Sequence, residues 1–208
     1  MIALADWPNL FRAGAPGSPV LLMLHGTGGD EHDISTLAGQ LAPDAGVLAP
    51  RGRVTEGGAN RWFRRIAEGV FDVDDVEARA DELAGFVSAA VVELGLNDRP
   101  LVAVGFSNGA NIALATAMRH PDVLSRVIAF SGMYPFGDRQ STKRLDASAL
   151  LLVNGEADPM APRASVDQLA AALAQLGADV SRVERPGGHG IAQSDLAAAR
   201  QWLDARVE

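Results

Sequence analysis

The sequence predicts an α/β fold in which a mostly parallel central sheet is covered by helices on both faces. Three observations predict it. Short, nearly all-apolar runs such as Leu101-Val102-Ala103-Val104 fit strands buried on both faces. These runs alternate with longer amphipathic stretches, the pattern of parallel strands joined by right-handed helical crossovers. The chain of 208 residues has room for one core and shows no linker, repeat or low-complexity tract, so residues 1–208 read as a single domain.

Taken in order, Asp6–Arg12 is expected as an antiparallel edge strand that turns back through Gly14–Pro19 into the first parallel strand, Val20–Leu24. A helix over about His32–Leu41 follows, capped by Asp30 or Asp33, and then a strand at Gly46–Ala49. Pro50–Asp72 reads as a long irregular segment. The longest helix covers Val73–Leu94, with Asp74 or Asp75 at its N-cap. Strand Leu101–Phe106 leads into a helix over Gly109–His120, which Pro121 stops. Arg126–Phe130, Leu150–Val153 and Val180–Glu184 complete the strands. Ser165–Leu176, ended by Gly177, and Ser194–Arg206 complete the helices. Gly132–Ala149 is a second long irregular segment. Such segments in compact domains tend to be functional, and neither is long enough for a large separate lid.

Composition excludes several chemistries. The net charge is −8 and no basic run exceeds Arg64-Arg65 or Lys143-Arg144, which argues against nucleic acid or an anionic membrane as partner. Cysteine is absent, which removes thiol nucleophiles, disulfides and thiolate zinc sites together. No window approaches the ~20 apolar residues of a membrane-spanning helix. Residues Met1–Asp6 carry neither the basic nor the apolar region of a signal peptide, so a cytoplasmic location is expected. His25 and His32, separated by a glycine loop, lack the spacing of a helix-borne metal site. Gly26-Thr27-Gly28-Gly29 lacks the nucleotide-binding fingerprint and its lysine. Neither metal nor cofactor is expected.

The chemistry concentrates in Gly105-Phe106-Ser107-Asn108-Gly109, set between a strand and a helix. A serine flanked by glycines at such a junction is a nucleophile elbow, a tight turn that lifts the hydroxyl above the sheet. A serine hydroxyl needs a base, and the base needs a group to orient it. Ligands of open parallel sheets bind beyond the carboxyl ends of strands. By that rule His25 and His189 both qualify as bases, and Asp158 and Glu156 as acids. Asp158 is preferred because Pro159 holds it in a turn away from the strand ladder. The order Ser107, Asp158, His189 is that of an α/β-hydrolase. An ester's carbonyl oxygen gains negative charge during acyl transfer and needs two backbone N–H groups. Asn108 and Thr27, the latter in His25-Gly26-Thr27-Gly28-Gly29, are the candidates. Trp62, Phe63, Met133, Tyr134 and Met160 are candidates for the wall of a substrate pocket. Arg51, Arg61, Arg64 and Arg65 could pair with a substrate carboxylate, although salt bridges to Asp72–Glu77 are the plainer expectation for most of them.

His25–Gly29, Pro50-Arg51-Gly52, Gly105–Gly109, Gly155-x-x-Asp158-Pro159-x-x-Pro162 and Gly188-His189 together resemble the phospholipase/carboxylesterase family of small serine α/β-hydrolases. That family includes acyl-protein thioesterase-like enzymes and lies near dienelactone hydrolases. The stretch from Pro50 through Arg61–Arg65 to Glu68–Asp72 resembles its bacterial branch of hydroquinone-stress carboxylesterases. The resemblance implies Ser107 as nucleophile, Asp158 and His189 as its partners, and Thr27 with Asn108 as oxyanion donors. It also implies a small-molecule ester substrate, no cofactor and a homodimer. Asn108 stands where the family often has Gln, and Met160-Ala161 where it has an aliphatic residue followed by Val. The expected function is a serine carboxylesterase acting on small esters. The alternatives are a lysophospholipase or acyl-protein thioesterase, and a non-catalytic binding protein on a hydrolase scaffold.

Overall fold

The computed structural model describes residues 4–67 and 69–207. The signal-peptide reading of the first residues and the Glu68 position of the family resemblance fall partly or wholly outside them. After a short 3-10 turn, β1 (Asn9–Arg12), β2 (Val20–Leu24), β3 (Gly46–Pro50), β8 (Leu101–Phe106), β9 (Arg126–Phe130), β10 (Ala149–Gly155) and β11 (Asp179–Arg185) form one sheet. Between β3 and β8 lie two small hairpins, β4 (Val54–Glu56) with β5 (Ala59–Arg61), and β6 (Arg65–Ala67) with β7 (Val70–Phe71). The helices are α1 (Glu31–Ser35), α2 (Ala38–Leu41), α3 (Val73–Glu93), α4 (Asn108–Arg119), α5 (Arg163–Gln175) and α6 (Gln193–Asp204).

The sheet order is β1-β3-β2-β8-β9-β10-β11, parallel throughout except for β1, which pairs antiparallel with β3 at one edge. Alternation along each strand explains the apolar runs. Leu22, Leu24, Ala103, Val127, Ala129, Leu150 and Leu152 face a core with α3, α4 and α5, while Leu21, Met23, Val102, Val104, Ile128, Leu151 and Val153 face a core with α1, α2 and α6. Helix α4 lies between the sheet and α3 and is buried from Asn108 through Met118, as its nearly all-round apolar surface requires.

Three local readings change. The helix expected over His32–Leu41 is two short helices. The hydroxyls of Ser35 and Thr36 bond to the His32 and Asp33 carbonyls at 2.8 and 2.7 Å, and the turn tightens as Leu37 N–H reaches the Ile34 carbonyl at 3.1 Å. The N-cap of α3 is Asp72 rather than Asp74 or Asp75. Asp72 accepts from the Asp75 N–H at 3.2 Å, and the Asp75 carboxylate turns back to the Arg64 N–H at 2.7 Å. The segment read as irregular, Pro50–Asp72, holds the two hairpins. Gly57 and Gly58 both adopt positive φ in the two-residue turn joining Glu56 to Ala59, a conformation that glycine takes without steric penalty.

Candidate active site

β2 lies directly beside β8, with Leu24 paired to Gly105, although the chain leaves β2 for β3 in the opposite direction. Loops at such a switch point diverge and leave a crevice at the strand ends. Ser107 emerges there with φ 54° and ψ −115°. Its N–H donates to the Phe130 carbonyl at 2.9 Å, which ties the turn to β9. A Cβ on Gly105 would strike the Gly109 carbonyl, and one on Gly109 the Leu24 carbonyl, so the flanking glycines let helix, turn and sheet approach. A non-glycine residue at positive φ costs about 1–3 kcal/mol, which the surrounding contacts must offset.

The loop after β11 carries His189 back to the loop after β10. Glu156 N–H bonds to the Arg185 carbonyl and Ala157 N–H to the Gly187 carbonyl, both at 2.9 Å. His189 Nδ1 lies 2.8 and 3.1 Å from the two carboxylate oxygens of Asp158. That carboxylate is fully buried and also accepts from the N–H groups of Met160 and Ala161, at 2.8 and 3.2 Å. Glu156, the competing acid, is exposed. His189 Nε2 has no hydrogen-bond partner among the described residues, and no bond joins it to Ser107 Oγ. The His189 ring instead packs on Phe106, the residue before Ser107, with centroids 5.1 Å apart.

Sequence reasoning gave no weight to Arg185, which braces this loop. Its Nε donates to buried Asp195 at 2.6 Å, and its Nη2 to the carbonyls of Gly188 and Gly190 at 3.2 and 2.7 Å. The arginine thereby fixes the backbone on both sides of His189.

Across the crevice, His25 is not available for proton transfer. It is 1% exposed; Nδ1 bonds to the Gly26 carbonyl at 2.7 Å, and Nε2 accepts from the Gly52 N–H at 2.9 Å. Burial holds its pKa below the ordinary histidine value. This histidine shapes the Gly26–Gly29 loop. The β4–β5 hairpin grips the same loop: Gly28 N–H donates to the Asn60 carbonyl at 2.9 Å and Asn60 Nδ2 to the Gly29 carbonyl at 3.0 Å. Trp62 Nε1 donates to the His25 carbonyl at 2.8 Å, and Trp62 N–H to Asn108 Oδ1 at 2.7 Å. One residue thus links the loop of Thr27 to the first turn of α4. Asp30 caps α1 through the N–H groups of His32 and Asp33 at 2.8 and 3.1 Å.

Thr27, Ser107 and Asn108 line one cavity of about 130 Å³, together with Arg61, Arg65, Phe71, Asn111 and Met160. The N–H groups of Thr27 and Asn108 have no hydrogen-bond partner among the described residues, Asn108 because it opens α4. Gly69, Phe71 and Met160 also belong to an adjoining groove, where Val70, Met133, Tyr134 and Pro159 add apolar wall. Met133, Tyr134 and Met160 therefore line this groove. Trp62 and Phe63 do not: they are 2% and 0% exposed and pack in the core, and Phe63 meets Phe71 edge-on.

Ser131 is a useful counterpart to Ser107. It too has positive φ (52°) at the end of a parallel strand, and its N–H bonds to the next strand at Val153, 2.8 Å away. Yet it is 2% exposed, and its hydroxyl is buried without a partner among the described residues. Backbone strain alone does not mark a nucleophile.

Residues 8–207 match the Phospholipase/Carboxylesterase family. The chain belongs to that family. It is 38% identical to MhqD of Bacillus subtilis (strain 168), a protein named as a hydrolase, over 90% of this chain and 94% of that one. It is 29% identical to the esterase YpfH of Escherichia coli (strain K12), over 90% and 83% of the two chains. The crystal structure of the Bacillus cereus carboxylesterase superposes with a TM-score of 0.92 at 34% identity, covering 97% of this chain and 95% of that one. Membership in this family of esterases and phospholipases supports hydrolase activity. Among the described residues, no helix is long and apolar enough to cross a membrane.

Proposed function

We propose that this chain is a serine carboxylesterase that hydrolyses small carboxylic esters through an acyl-enzyme on Ser107. The observation that carries the reading is a complementary set around one crevice. It comprises a half-buried hydroxyl on a strained turn, an imidazole with one nitrogen held by a buried carboxylate, and two N–H groups on the cavity wall; the other imidazole nitrogen and both N–H groups have no partner among the described residues.

In this mechanism Asp158 holds the proton of His189 on Nδ1, so that Nε2 carries the lone pair. Substrate brings Ser107 Oγ and Nε2 into the hydrogen bond that the unliganded site lacks; such bonds tighten on substrate binding in many enzymes. Oγ attacks the carbonyl carbon as Nε2 takes its proton. The resulting oxyanion accepts from the N–H groups of Thr27 and Asn108, each contributing about 2.7–4 kcal/mol of transition-state stabilisation. Collapse expels the alcohol, which leaves with the proton from Nε2. Water then attacks the acyl-enzyme, passing a proton to Nε2; the acid departs and the proton returns to Oγ. The net change is ester plus water to acid plus alcohol.

A fluorophosphonate probe tests the reading. It should label the wild type and leave Ser107→Ala unlabelled, with p-nitrophenyl ester hydrolysis lost in parallel. Equal labelling of both, or of neither, rejects it. The apolar groove of about 430 Å³ supports a second reading, a lysophospholipase or acyl-protein thioesterase. A series of p-nitrophenyl esters from acetate to palmitate separates the two, because long-chain preference in kcat/KM belongs only to the second.

A further inference from the structure

We propose that the acyl portion of the ester accepted by this site carries a neutral hydrogen-bond acceptor, an ether or carbonyl oxygen a few atoms beyond the scissile carbonyl, and that the side-chain amide of Asn111 binds it. The proposal rests on the esterase reading above and adds a substrate class to it.

Asn111 stands one turn of α4 beyond Ser107, and its N–H donates to the Ser107 carbonyl at 3.0 Å. It is 5% exposed and lines the cavity that holds Ser107. Its Oδ1 accepts from the Met133 N–H at 2.8 Å. That bond fixes the orientation of the amide, because the flipped amide would set its nitrogen against another donor. Nδ2 makes no hydrogen bond among the described residues, and it is the end of the amide left for the cavity. Asn108, three residues earlier on the same face of the helix, repeats the pattern on the same wall. Its Oδ1 accepts from the Trp62 N–H at 2.7 Å, and its Nδ2 is fully buried without a partner among the described residues. Two amides thus commit their acceptors to the backbone and keep their donors. Asn111 is the one argued to meet the substrate, since Nδ2 of Asn108 has no exposed surface. The arginines of this wall, Arg61 and Arg65, pair with Glu56 at 3.1 and 2.9 Å and take no part in the proposal.

The direction of the reaction assigns this cavity to the acyl portion. The leaving alcohol takes its proton from His189 Nε2, and His189 is not on the cavity wall. The acyl portion lies across the scissile bond from that alcohol, on the side of Asn111. Four residues of α4 separate Asn111 from Ser107, about 6 Å along the helix axis. The cavity itself is about 130 Å³, so the acceptor must sit close to the scissile carbonyl. An all-carbon acyl chain would strip water from Nδ2 and return no hydrogen bond. An oxygen at the same place meets the donor, and a site built around such a donor discriminates against the analogue that lacks the acceptor. The amide nitrogen can only donate, so the matching group on the substrate is an acceptor.

The test uses pairs of p-nitrophenyl esters in which one methylene of the acyl chain is replaced by oxygen: methoxyacetate against butyrate, β-methoxypropionate against valerate, and γ-methoxybutyrate against hexanoate. Each kcat/KM is divided by the rate of alkaline hydrolysis of the same ester, which removes intrinsic reactivity. Wild type should favour the oxygen-bearing ester about three- to tenfold at one position of the series, the effect of one hydrogen bond. The preference should vanish in Asn111→Ala and in Asn111→Asp. The second variant, assayed near pH 8 so that the carboxylate is ionised, removes the donor and keeps an acceptor for the Met133 N–H. Thermal melts establish that each variant folds. A wild type without preference at any position overturns the proposal. So does a preference that survives both substitutions, with the two esters of a pair losing rate equally, which would reduce Asn111 to a brace for the loop of Met133. The all-carbon esters decide the underlying reading separately. Ser107-dependent turnover of these esters with no oxygen preference sinks the Asn111 site alone. Absence of Ser107-dependent turnover of every ester in the series sinks the esterase reading and the Asn111 site with it.

Discussion

His25 and His189 stand at opposite lips of the same crevice, each just past a parallel strand, and sequence position alone nominates both as a base. Their surroundings separate them. Both ring nitrogens of His25 are engaged by backbone groups, and the residue is 1% exposed. His189 is 17% exposed in its side chain, gives Nδ1 to Asp158, and keeps Nε2 without a partner among the described residues. A histidine with two occupied nitrogens is a strut; one with a single oriented nitrogen can move a proton. The two serines divide the same way. Ser107 faces a cavity and Ser131 faces packed core, although both take a positive φ just past a parallel strand.

The sharpest way to break the comparison is to remove each imidazole in turn. His189→Ala should lower kcat by about 10⁴–10⁶-fold, the range seen when a base acting in concert with a nucleophile is removed. Its melting temperature should change little, because the ring is partly exposed. Asp158→Asn should fall in the same direction, because the amide can offer an N–H to Nδ1 and favour the wrong tautomer. Ester kinetics alongside thermal melts measure both. If His189→Ala retains near wild-type kcat, the assignment of roles is wrong at its centre.

Much of this site was legible in sequence because its candidate residues sit at the ends of apolar strands. Both faces of those strands are covered, so Leu101–Phe106 and Leu150–Val153 stood out as unbroken runs, and Ser107 and Asp158 followed them directly. The cavity wall was less legible. Strands β4–β7 hold two or three residues each, too few for a period-two pattern to emerge. Gly57-Gly58 was the available signal, a two-residue hairpin turn between Glu56 and Ala59. Without that hairpin, the carboxylate partners of Arg51, Arg61, Arg64 and Arg65 could not be assigned, because which of Glu31, Glu56, Asp72 and Asp75 each one meets is decided by how the hairpins fold over the first-strand loop. Trp62 and Phe63 were placed on the pocket for the same reason. An aromatic pair in an assumed loop could serve either purpose, and Trp62 turned out to fasten the loop from the core side.

His25→Ala is the complementary substitution and should have the opposite profile. It leaves the Gly52 N–H buried without its acceptor and opens space beside Trp62, whose ring lies 5.1 Å from the imidazole. A loss of about 2–4 kcal/mol in stability is expected from the orphaned donor and the cavity together. Activity should fall far less than in His189→Ala, through kcat rather than KM, as the Thr27 loop loosens. Denaturant melts and ester kinetics read the two effects separately. Full stability with abolished activity would reverse the roles given to the two histidines.

Trp62→Phe weakens the same strut more gently. It deletes the 2.8 Å bond to the His25 carbonyl and keeps the backbone bond from residue 62 to Asn108. The expected cost is about 1–2 kcal/mol, the penalty of one buried acceptor left unmade. A kcat drop as large as that of His189→Ala would instead place the indole in contact with substrate.

The smallest expected effect is in the pH dependence of stability. Burial lowers the folded-state pKa of His25, so the unfolded chain binds its proton first as pH falls. The stabilisation is therefore complete above about pH 6.5, the unfolded value, and is lost progressively below it. The groups facing the ring act in both directions: Asp30 and Glu31 raise its pKa and Arg51 lowers it, and burial outweighs them. One proton sets the ceiling on the slope, about 1.4 kcal/mol per pH unit. The carboxylates with depressed pKa values, Asp30, Glu31, Asp72, Asp81 and Asp146, also lose their stabilisation as pH falls, but below the ordinary carboxylate range near pH 4. Melts between pH 5 and 7 therefore isolate histidine. Subtracting the His25→Ala slope from the wild-type slope leaves the contribution of His25. Protonating Nε2 would set a donor against the Gly52 N–H, so the difference must show wild type losing stability faster as pH falls. Parallel slopes would mean that the imidazole at 25 titrates as freely as in the unfolded chain, and the distinction between strut and base would lose its electrostatic ground.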